Sequence, residues 1–301
     1  MSNGSNTRWN YAPQTAFEVI PDATDAWSRF RFNGGGPSRS TSAEEDPEIG
    51  SDAASVTSEA AATGTFDLSM WYGQLDPFYE AIMGANFAGD VLNPGALIKY
   101  FTFEESQPDL LAGDKFTQFE NGTVTSFATT FPTPNGRITA QAGMSFSNGN
   151  SSPVSIASAN PTINTAPVMR TGGLVTDLEI DGAAVSTFNL RISQLTLTMS
   201  RETQDEPQID VEGRGAITLG DLNAELSMTV YDENRTILNT LFQNVSREIS
   251  WSVRDVNGQG YDFLMPAASP NGGEVSAPAK NTGRTQTLPF RTSNITITRV
   301  P

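Results

Sequence analysis

Leu190-Arg191-Ile192-Ser193-Gln194-Leu195-Thr196-Leu197-Thr198-Met199 is the stretch that decides the fold. Leu195, Leu197 and Met199 recur at every second position with threonine between them. Successive side chains of a strand point to opposite faces, so this alternation sets an apolar face on a core and a hydroxyl face in water. Threonine also suits a pleated, half-buried surface. Comparable strands are expected at residues 65–71, 100–104, 122–130, 137–146, 175–180, 215–219, 224–231, 248–255, 261–265 and 295–300. The pairs Asn121-Gly122, Asn135-Gly136, Asp181-Gly182 and Asn257-Gly258 are expected to be hairpin turns between strands. The fold class is mainly β.

Two segments have helical spacing. Asp76-Pro77-Phe78-Tyr79-Glu80-Ala81-Ile82-Met83 carries an aspartate placed to cap and a proline at the first helical position, with Phe78, Ile82 and Met83 on one side. Asn234-Arg235-Thr236-Ile237-Leu238-Asn239-Thr240-Leu241-Phe242 has an asparagine cap and Ile237, Leu238, Leu241 and Phe242 on one face. Each helix follows a strand containing Leu-Ser-Met, at Leu68-Ser69-Met70 and at Leu226-Ser227-Met228. The separation is 226 − 68 = 158 residues, close to half of the 301. Another alternating strand follows each helix. The order strand, turn, helix, strand therefore occurs twice, which predicts a tandem duplication of one β-rich unit.

Composition divides the chain in the same place. Residues 1–165 carry 7 basic and 18 acidic side chains, a net charge of −11, and residues 166–301 carry 11 and 16, a net charge of −5. Between the apolar patterns lie Ser147-Asn148-Gly149-Asn150-Ser151-Ser152-Pro153 and Ala157-Ser158-Ala159-Asn160-Pro161-Thr162, which read as a linker. The expected domains are 1–165 and 166–301. Residues 33–63 hold almost no large apolar side chain and read as a long exposed loop or arm. Residues 266–283 read as a second one. Structureless loops of that length are uncommon in a compact domain unless a partner orders them.

Composition also excludes chemistry. The chain has no cysteine and no histidine. Disulfide scaffolds, zinc fingers, thiol nucleophiles, His-ligated metals and Ser-His-Asp triads are ruled out. The net charge is −16, with three lysines (Lys99, Lys115, Lys280) and scattered arginines. Nucleic-acid affinity comes from clustered basic groups, so tight DNA binding is not expected. No apolar run is long enough for a membrane span, and Met1-Ser2-Asn3-Gly4-Ser5-Asn6 lacks a signal-peptide start, so a soluble cytoplasmic origin and no membrane partner are expected.

Paired carboxylates are the catalytic device that remains. Glu104-Glu105, Glu202 with Asp205-Glu206, and Asp232-Glu233 are the candidates, and all read better as solvated surface acids. Glu44-Glu45-Asp46-Pro47-Glu48 lacks the spacing of a calcium loop and reads as a charged mobile loop. Gly34-Gly35-Gly36 and Gly213-Arg214-Gly215 do not join a strand to a helix in the phosphate-cradling way and read as turn glycines. Trp27, Trp71 and Trp251 fall in apolar patterns and are expected in the core. No catalytic, cofactor-binding or metal residue is assigned, and no cofactor is expected.

In its order of features the chain resembles the tail tube (major tail) proteins of long, non-contractile-tailed bacteriophages, or siphoviruses, in the version of this chain's length. The likeness begins at Thr15-Ala16-Phe17-Glu18 and Trp27-Ser28-Arg29-Phe30-Arg31-Phe32 and continues through Gly64-Thr65-Phe66-Asp67-Leu68-Ser69-Met70. Its clearest part runs from Asn164-Thr165-Ala166-Pro167-Val168 to Asp181-Gly182. It resumes through Leu195-Thr196-Leu197-Thr198, residues 224–242, and Asp255-Val256-Asn257-Gly258-Gln259-Gly260-Tyr261-Asp262-Phe263 to Leu264-Met265-Pro266.

The resemblance implies two tandem β-sandwich units, each with one short α-helix. Their inner sheets would join those of neighbours into a closed barrel around a lumen. The implied partners are further copies of the chain, as homotrimeric pseudo-hexameric rings or alternatively homohexamers, stacked head to tail. Tape measure, tail terminator and baseplate proteins are also implied, with DNA passing without sticking. The expected function is a non-enzymatic virion protein, assembled in the host cytoplasm, that forms an acidic conduit for genome ejection. An acidic wall repels a DNA backbone. An extracellular β-sandwich binding or adhesin module is the alternative, and a carboxylate-based glycosidase comes third.

Overall fold

A computed structural model gives the fold. It describes the chain except residues 1–5, 46–54, 111–112, 133–135, 173–174, 189, 208–213, 232–244, 273 and 276–284. The first half supplies β1 (Arg8–Gln14), β2 (Ser28–Phe30), β3 (Gly34–Glu45), β4 (Ser55–Ser69), helix α1 (Asp76–Met83), β5 (Val91–Leu92), β6 (Tyr100–Ser106), β7 (Phe116–Phe131), β8 (Thr139–Phe146) and β9 (Asn148–Ser152). β10 (Thr162–Ile163) leads into β11 (Val175–Ile180), β12 (Ala183–Ala184), β13 (Ile192–Pro207), β14 (Arg214–Tyr231), β15 (Arg247–Arg254), β16 (Gly260–Pro270), β17 (Glu274–Val275), β18 (Thr285–Thr292) and β19 (Thr296–Val300).

The strands are hydrogen-bonded into one large open sheet with branches. Its long stretch runs β3-β4-β8-β7-β13-β14-β18-β16. One branch is β2-β1-β6-β7-β9 and the other is β12-β11-β15-β16-β19-β5. β7 and β16 each serve both the long stretch and a branch. The early part of β7 pairs with β6 and β9, and its later part pairs with β8 and β13.

The change of partner happens at Asn121-Gly122, expected to be a hairpin turn and found as a kink inside β7. Asn121 has φ 53° and is held from both sides. Its Oδ1 accepts from the Glu18 amide at 2.8 Å, and its Nδ2 donates to Ser147 Oγ at 2.7 Å. A Cβ on Gly122 would lie 2.2 Å from the Phe146 ring, so glycine is required there. Asn-Gly permits positive φ wherever it occurs, and the packing of Phe146 turns it into a bend rather than a reversal. Asp181-Gly182 does close a hairpin, between β11 and β12, with φ 53° and 71°. Asn257-Gly258 lies in the β15–β16 turn, where Asp255 Oδ1 accepts from the amides of Asn257 and Gln259. Asn135 lies outside the described residues.

Pairing in the second half repeats pairing in the first. β1 pairs with β2 and β6, β6 with β7, β7 with β8 and β9, β8 with β4, and β4 with β3. β11 pairs with β12 and β15, β15 with β16, β16 with β18 and β19, β18 with β14, and β14 with β13. Strand for strand the order is the same. Among the described residues two strand pairings cross between halves, β7 with β13 and β5 with β19, while β10 pairs in parallel with β2 inside the first half.

Several expectations need correction. Within the expected loop 33–63, residues 34–45 and 55–63 are strands. β3 and β4 pair from Gly34 with Asp67 to Glu45 with Ser55. A hairpin satisfies its backbone groups internally, so it needs no run of large apolar side chains. Residues 266–283 are not all loop either: β16 continues to Pro270 and β17 adds Glu274 and Val275 against β18. The linker stretch contains β9, which pairs with β7. The strands expected at 215–219 and 224–231 are one strand, β14. The helix expected at 234–242 lies outside the described residues.

Helix α1 has the expected bounds but a different start. Leu75 occupies the N-cap position without a side-chain cap bond, and Gly84 ends the helix with φ 66°. Its buried side chains are Phe78, Tyr79, Ala81, Ile82 and Met83. Phe103 lies at the centre of an aromatic cluster. Its ring is 5.2 Å from Phe66, 5.3 Å from Phe30, 5.5 Å from Tyr11 and 5.8 Å from Phe146. Trp251 stacks on Phe263 at 4.9 Å in the second half, and Tyr79 of α1 touches Phe127, Tyr261 and Phe263. Trp27, Trp71 and Trp251 are buried as expected.

Phe103→Ala is expected to cost about 3–5 kcal/mol, since it empties the centre of this cluster. Gly122→Ala should cost about 1–3 kcal/mol through overpacking against Phe146. Chemical denaturation of the purified variants measures both.

Candidate assembly surface

The long stretch of sheet has one apolar and one polar face, and its cross-strand rows show how they are built. Leu68, Ala140, Thr129, Leu197, Leu226 and Phe290 stand opposite one another on successive strands and are all buried. The neighbouring row points the other way. It reads Gly34, Asp67, Gln141, Ala128, Thr198, Glu225, Arg291 and Ser269 across the eight strands. The row has two halves of like chemistry: small, acid, amide or guanidinium, small. Gln141 Nε2 donates to Asp67 Oδ1 at 2.8 Å. Glu225 lies between Thr198 and Arg291 in register, and Arg291 Nε donates to Asn223 Oδ1.

Two open clefts lie on this polar side. One, of about 530 Å³, is bordered by Ser200, Glu202, Asp221, Asn223, Arg291 and Thr292. The other, of about 430 Å³, is bordered by Asn33, Asp67, Thr130, Arg137, Thr139 and Gln141. Hydroxyls, amides and carboxylates line both, and the acids Asp67, Glu202, Asp221 and Glu225 outnumber Arg137 and Arg291. Such a surface presents acceptors and negative charge to water without a nucleophile–base pair.

The candidate acids are scattered by the fold. Glu104 is fully buried rather than solvated, and it accepts from Ser155 Oγ and the Ile156 amide, both at 2.7 Å. It anchors the segment after β9, a role that a strand-end glutamate beside a second acid does not signal in sequence. Glu105 accepts from Gln107, and Glu206 accepts from Thr218. Glu202 borders the larger cleft. Asp232, Glu233 and residues 46–48 lie outside the described residues. Among the described residues no three carboxylates gather as a metal site. No helix there is long and apolar enough to cross a membrane. Gly34, Gly35 and Gly36 begin β3, with φ 77° at Gly35 and 149° at Gly36.

A long sheet with one polar face suits assembly, and the comparison with protein families bears on that reading. The family described as phage tail tube protein matches residues 4–292. The chain belongs to this family. No curated protein matches it. Membership makes this tail tube protein a structural component of the virion tail that self-assembles into a tube.

The tail tube protein also carries a half-buried polar tie between α1 and the second half that sequence reading missed. Tyr261 in β16 donates its hydroxyl to Asp76 Oδ1 at 2.5 Å and accepts from the Gly73 amide at 2.9 Å. Arg299 in β19 donates to Asp76 Oδ2 at 3.1 Å and to the Gly89 carbonyl at 2.7 Å, and its guanidinium covers the Phe87 ring. Asp76 is therefore a tie rather than a cap. Burial raises its pKa above the ordinary carboxylate value and outweighs the Tyr261 and Arg299 contacts that lower it. Burial also pushes the Tyr261 hydroxyl far up, reinforced by the charge of Asp76. No sequence motif links residues this far apart.

Tyr261→Phe removes the hydroxyl that joins Asp76 to Gly73 and should cost about 1–3 kcal/mol of stability. The raised pKa of Asp76 sets a sign for pH. A folded state that holds its proton more tightly than the unfolded state loses stability as pH rises, from near the unfolded value of about 3.9 up through the raised folded value. Asp76→Asn abolishes that contribution. The stability of wild type relative to Asp76→Asn is expected to fall with rising pH across this window, as measured by denaturant titration at several pH values.

Proposed function

We propose that this chain is the major tail tube subunit of a long, non-contractile phage tail, and that the polar face of its long sheet lines the channel. The observation that carries this reading is the uninterrupted cross-strand row from Gly34 to Ser269, with one half of the chain continuing the sheet of the other through β7 and β13. The repeated pairing scheme supports two tandem units, 1–165 and 166–301. With two units per chain, three chains make a pseudo-sixfold ring, and a homohexamer is the alternative.

Closing the sheet into a barrel removes the exposed edges that would otherwise template aggregation. Rings stack head to tail into the tube, with the β3–β4 hairpin as the projection that reaches the adjacent ring. Tape measure, terminator and baseplate proteins complete the tail. The channel conducts DNA during ejection because its surface is hydroxyl-rich with an excess of carboxylates, and a backbone of phosphates finds little to hold it. Its role is assembly in the host cytoplasm and passage of the genome, not catalysis.

Electron microscopy of the concentrated protein tests this. Hollow tubes are expected, with a repeat of about 40 Å, roughly a twelve-residue strand at 3.3 Å per residue. Protein that stays monomeric at high concentration overturns the reading. A second measurement addresses the channel. Tubes of Asp67→Lys/Glu225→Lys should co-sediment with duplex DNA at low salt, whereas wild-type tubes should not.

A further inference from the structure

We infer that an apolar groove in the second half is a helix seat, and that residues 232–244 of the same chain occupy it as an amphipathic helix. The groove has a volume of about 200 Å³ and lies between the end of β7, β11 and the start of β13. Phe131 and Pro132 line it from the first, Val175 and Leu178 from the second, and Ile192 and Leu195 from the third. Val175, Leu178 and Ile192 are half-buried and pack against the core. Small-molecule sites usually hold about 300–1,000 Å³, so this groove is sized for side chains rather than for a ligand.

The first half shows what such a groove receives. There helix α1 follows β4 and lays Phe78 against Tyr11 of β1 at 5.8 Å and against Phe30 of β2 at 5.4 Å. Tyr11 stands opposite Phe103, and Phe103 stands opposite Phe119. In the matching strands β11, β15 and β16, Val175 stands opposite Val253, and Val253 opposite Tyr261. Val175 of the groove therefore holds the place of Tyr11, a residue that α1 covers.

The occupant is written in the sequence. Asp76 comes six residues after Met70 of the first Leu-Ser-Met, and Asn234 comes six after Met228 of the second. Phe78, Tyr79, Ile82 and Met83 are buried side chains of α1. Their spacing recurs in Ile237, Leu238, Leu241 and Phe242. On a helix these four positions share one face, and Thr236, Asn239, Thr240 and Gln243 fall on the other.

Both ends of the segment are fixed beside the groove. Val230, just before it, stands opposite Ile192, and the Tyr231 amide donates to the Arg191 carbonyl at 2.9 Å. Just after it, Arg247 pairs with Asp181 at 2.7 Å, and the Glu248 amide donates to Asp181 Oδ1 at 3.0 Å, where β11 ends. A helix over 234–242 rises about 14 Å and leaves two linking residues at either end. Such short tethers hold the segment at a high effective concentration over its own groove, which favours it over the same segment of a neighbour. Seated there, it completes the second half as a counterpart of the first.

The absence of native cysteine allows the seat to be mapped by cross-linking in the full chain. Leu178→Cys or Ile192→Cys is combined with one cysteine at a time from 236 to 243 and oxidised in dilute solution. Leu238→Cys and Leu241→Cys, on the apolar face, should form disulfides at least tenfold faster than Thr236→Cys and Gln243→Cys, because the bond needs Cβ atoms about 3.5–4.5 Å apart. The product should be a monomer of altered mobility on a denaturing gel without reductant. Disulfide-linked dimers in its place put the segment on another copy and overturn the inference. Equal reaction on both faces, or none at either seat position, also overturns it.

Hydrogen exchange of the wild-type chain supplies a readout free of substitution. Amides of residues 237–242 should exchange at least tenfold more slowly than those of an unstructured chain, and exchange at the unstructured rate overturns the helix. Val175→Asp places a charge in the groove and should return that segment to fast exchange while the amides of residues 80–83 keep their protection. Unchanged protection at 237–242 in that variant puts the helix elsewhere and overturns the seat. All of these measurements concern one dilute copy, so their failure leaves the tube reading standing.

Discussion

Every antiparallel ladder ends in a strand whose outward amides and carbonyls have no partner, and this molecule is organised around that constraint. β7 would be such an edge for the first half. It is covered by β13, the first long strand of the second half. The cover is possible only because β7 leaves its branch at Asn121-Gly122 and presents its later residues to a different set of neighbours. That kink depends on one left-handed asparagine, one glycine under the Phe146 ring, and the two side-chain bonds of Asn121. Among the described residues the same logic leaves β3, paired with β4 alone, as an edge without cover.

Two kinds of packing keep this arrangement from shearing. Aromatic rings from β1, β2, β4, β6 and α1 interlock around Phe103, at distances typical of edge-on and offset ring contacts. The second is polar. Asp76, Tyr261 and Arg299 tie the helix of the first half to β16 and β19 of the second, while β5 pairs with β19 beside them. A half-buried carboxylate depends on its partners, so the tie specifies how the halves meet.

Much of the architecture was legible in the residues. Alternation at Leu195, Leu197 and Met199 located β13 and its buried face, and the helical spacing of Phe78, Ile82 and Met83 located α1. The twin Leu-Ser-Met signatures fall at the end of β4 and within β14, which occupy matching places in the pairing scheme. Other elements were not legible. The β3–β4 hairpin is written in Ser, Thr, Ala and Gly, whose side chains carry no apolar period, and its backbone pairing leaves no mark on composition. Glu104 looks like any surface acid until Ser155 and Ile156 fold over it.

The sequence by itself determined which faces are apolar, where short-range turns can occur, and which chemistries are impossible. Side-chain alternation, glycine placement and the absence of histidine and cysteine are local properties of the chain. Only the tertiary structure decided that Asn121-Gly122 bends a strand instead of reversing it, that Asp76 ties instead of capping, and that one row of residues crosses eight strands. Each of these depends on groups brought together from far along the chain, and their partners are chosen by packing rather than by neighbours in sequence.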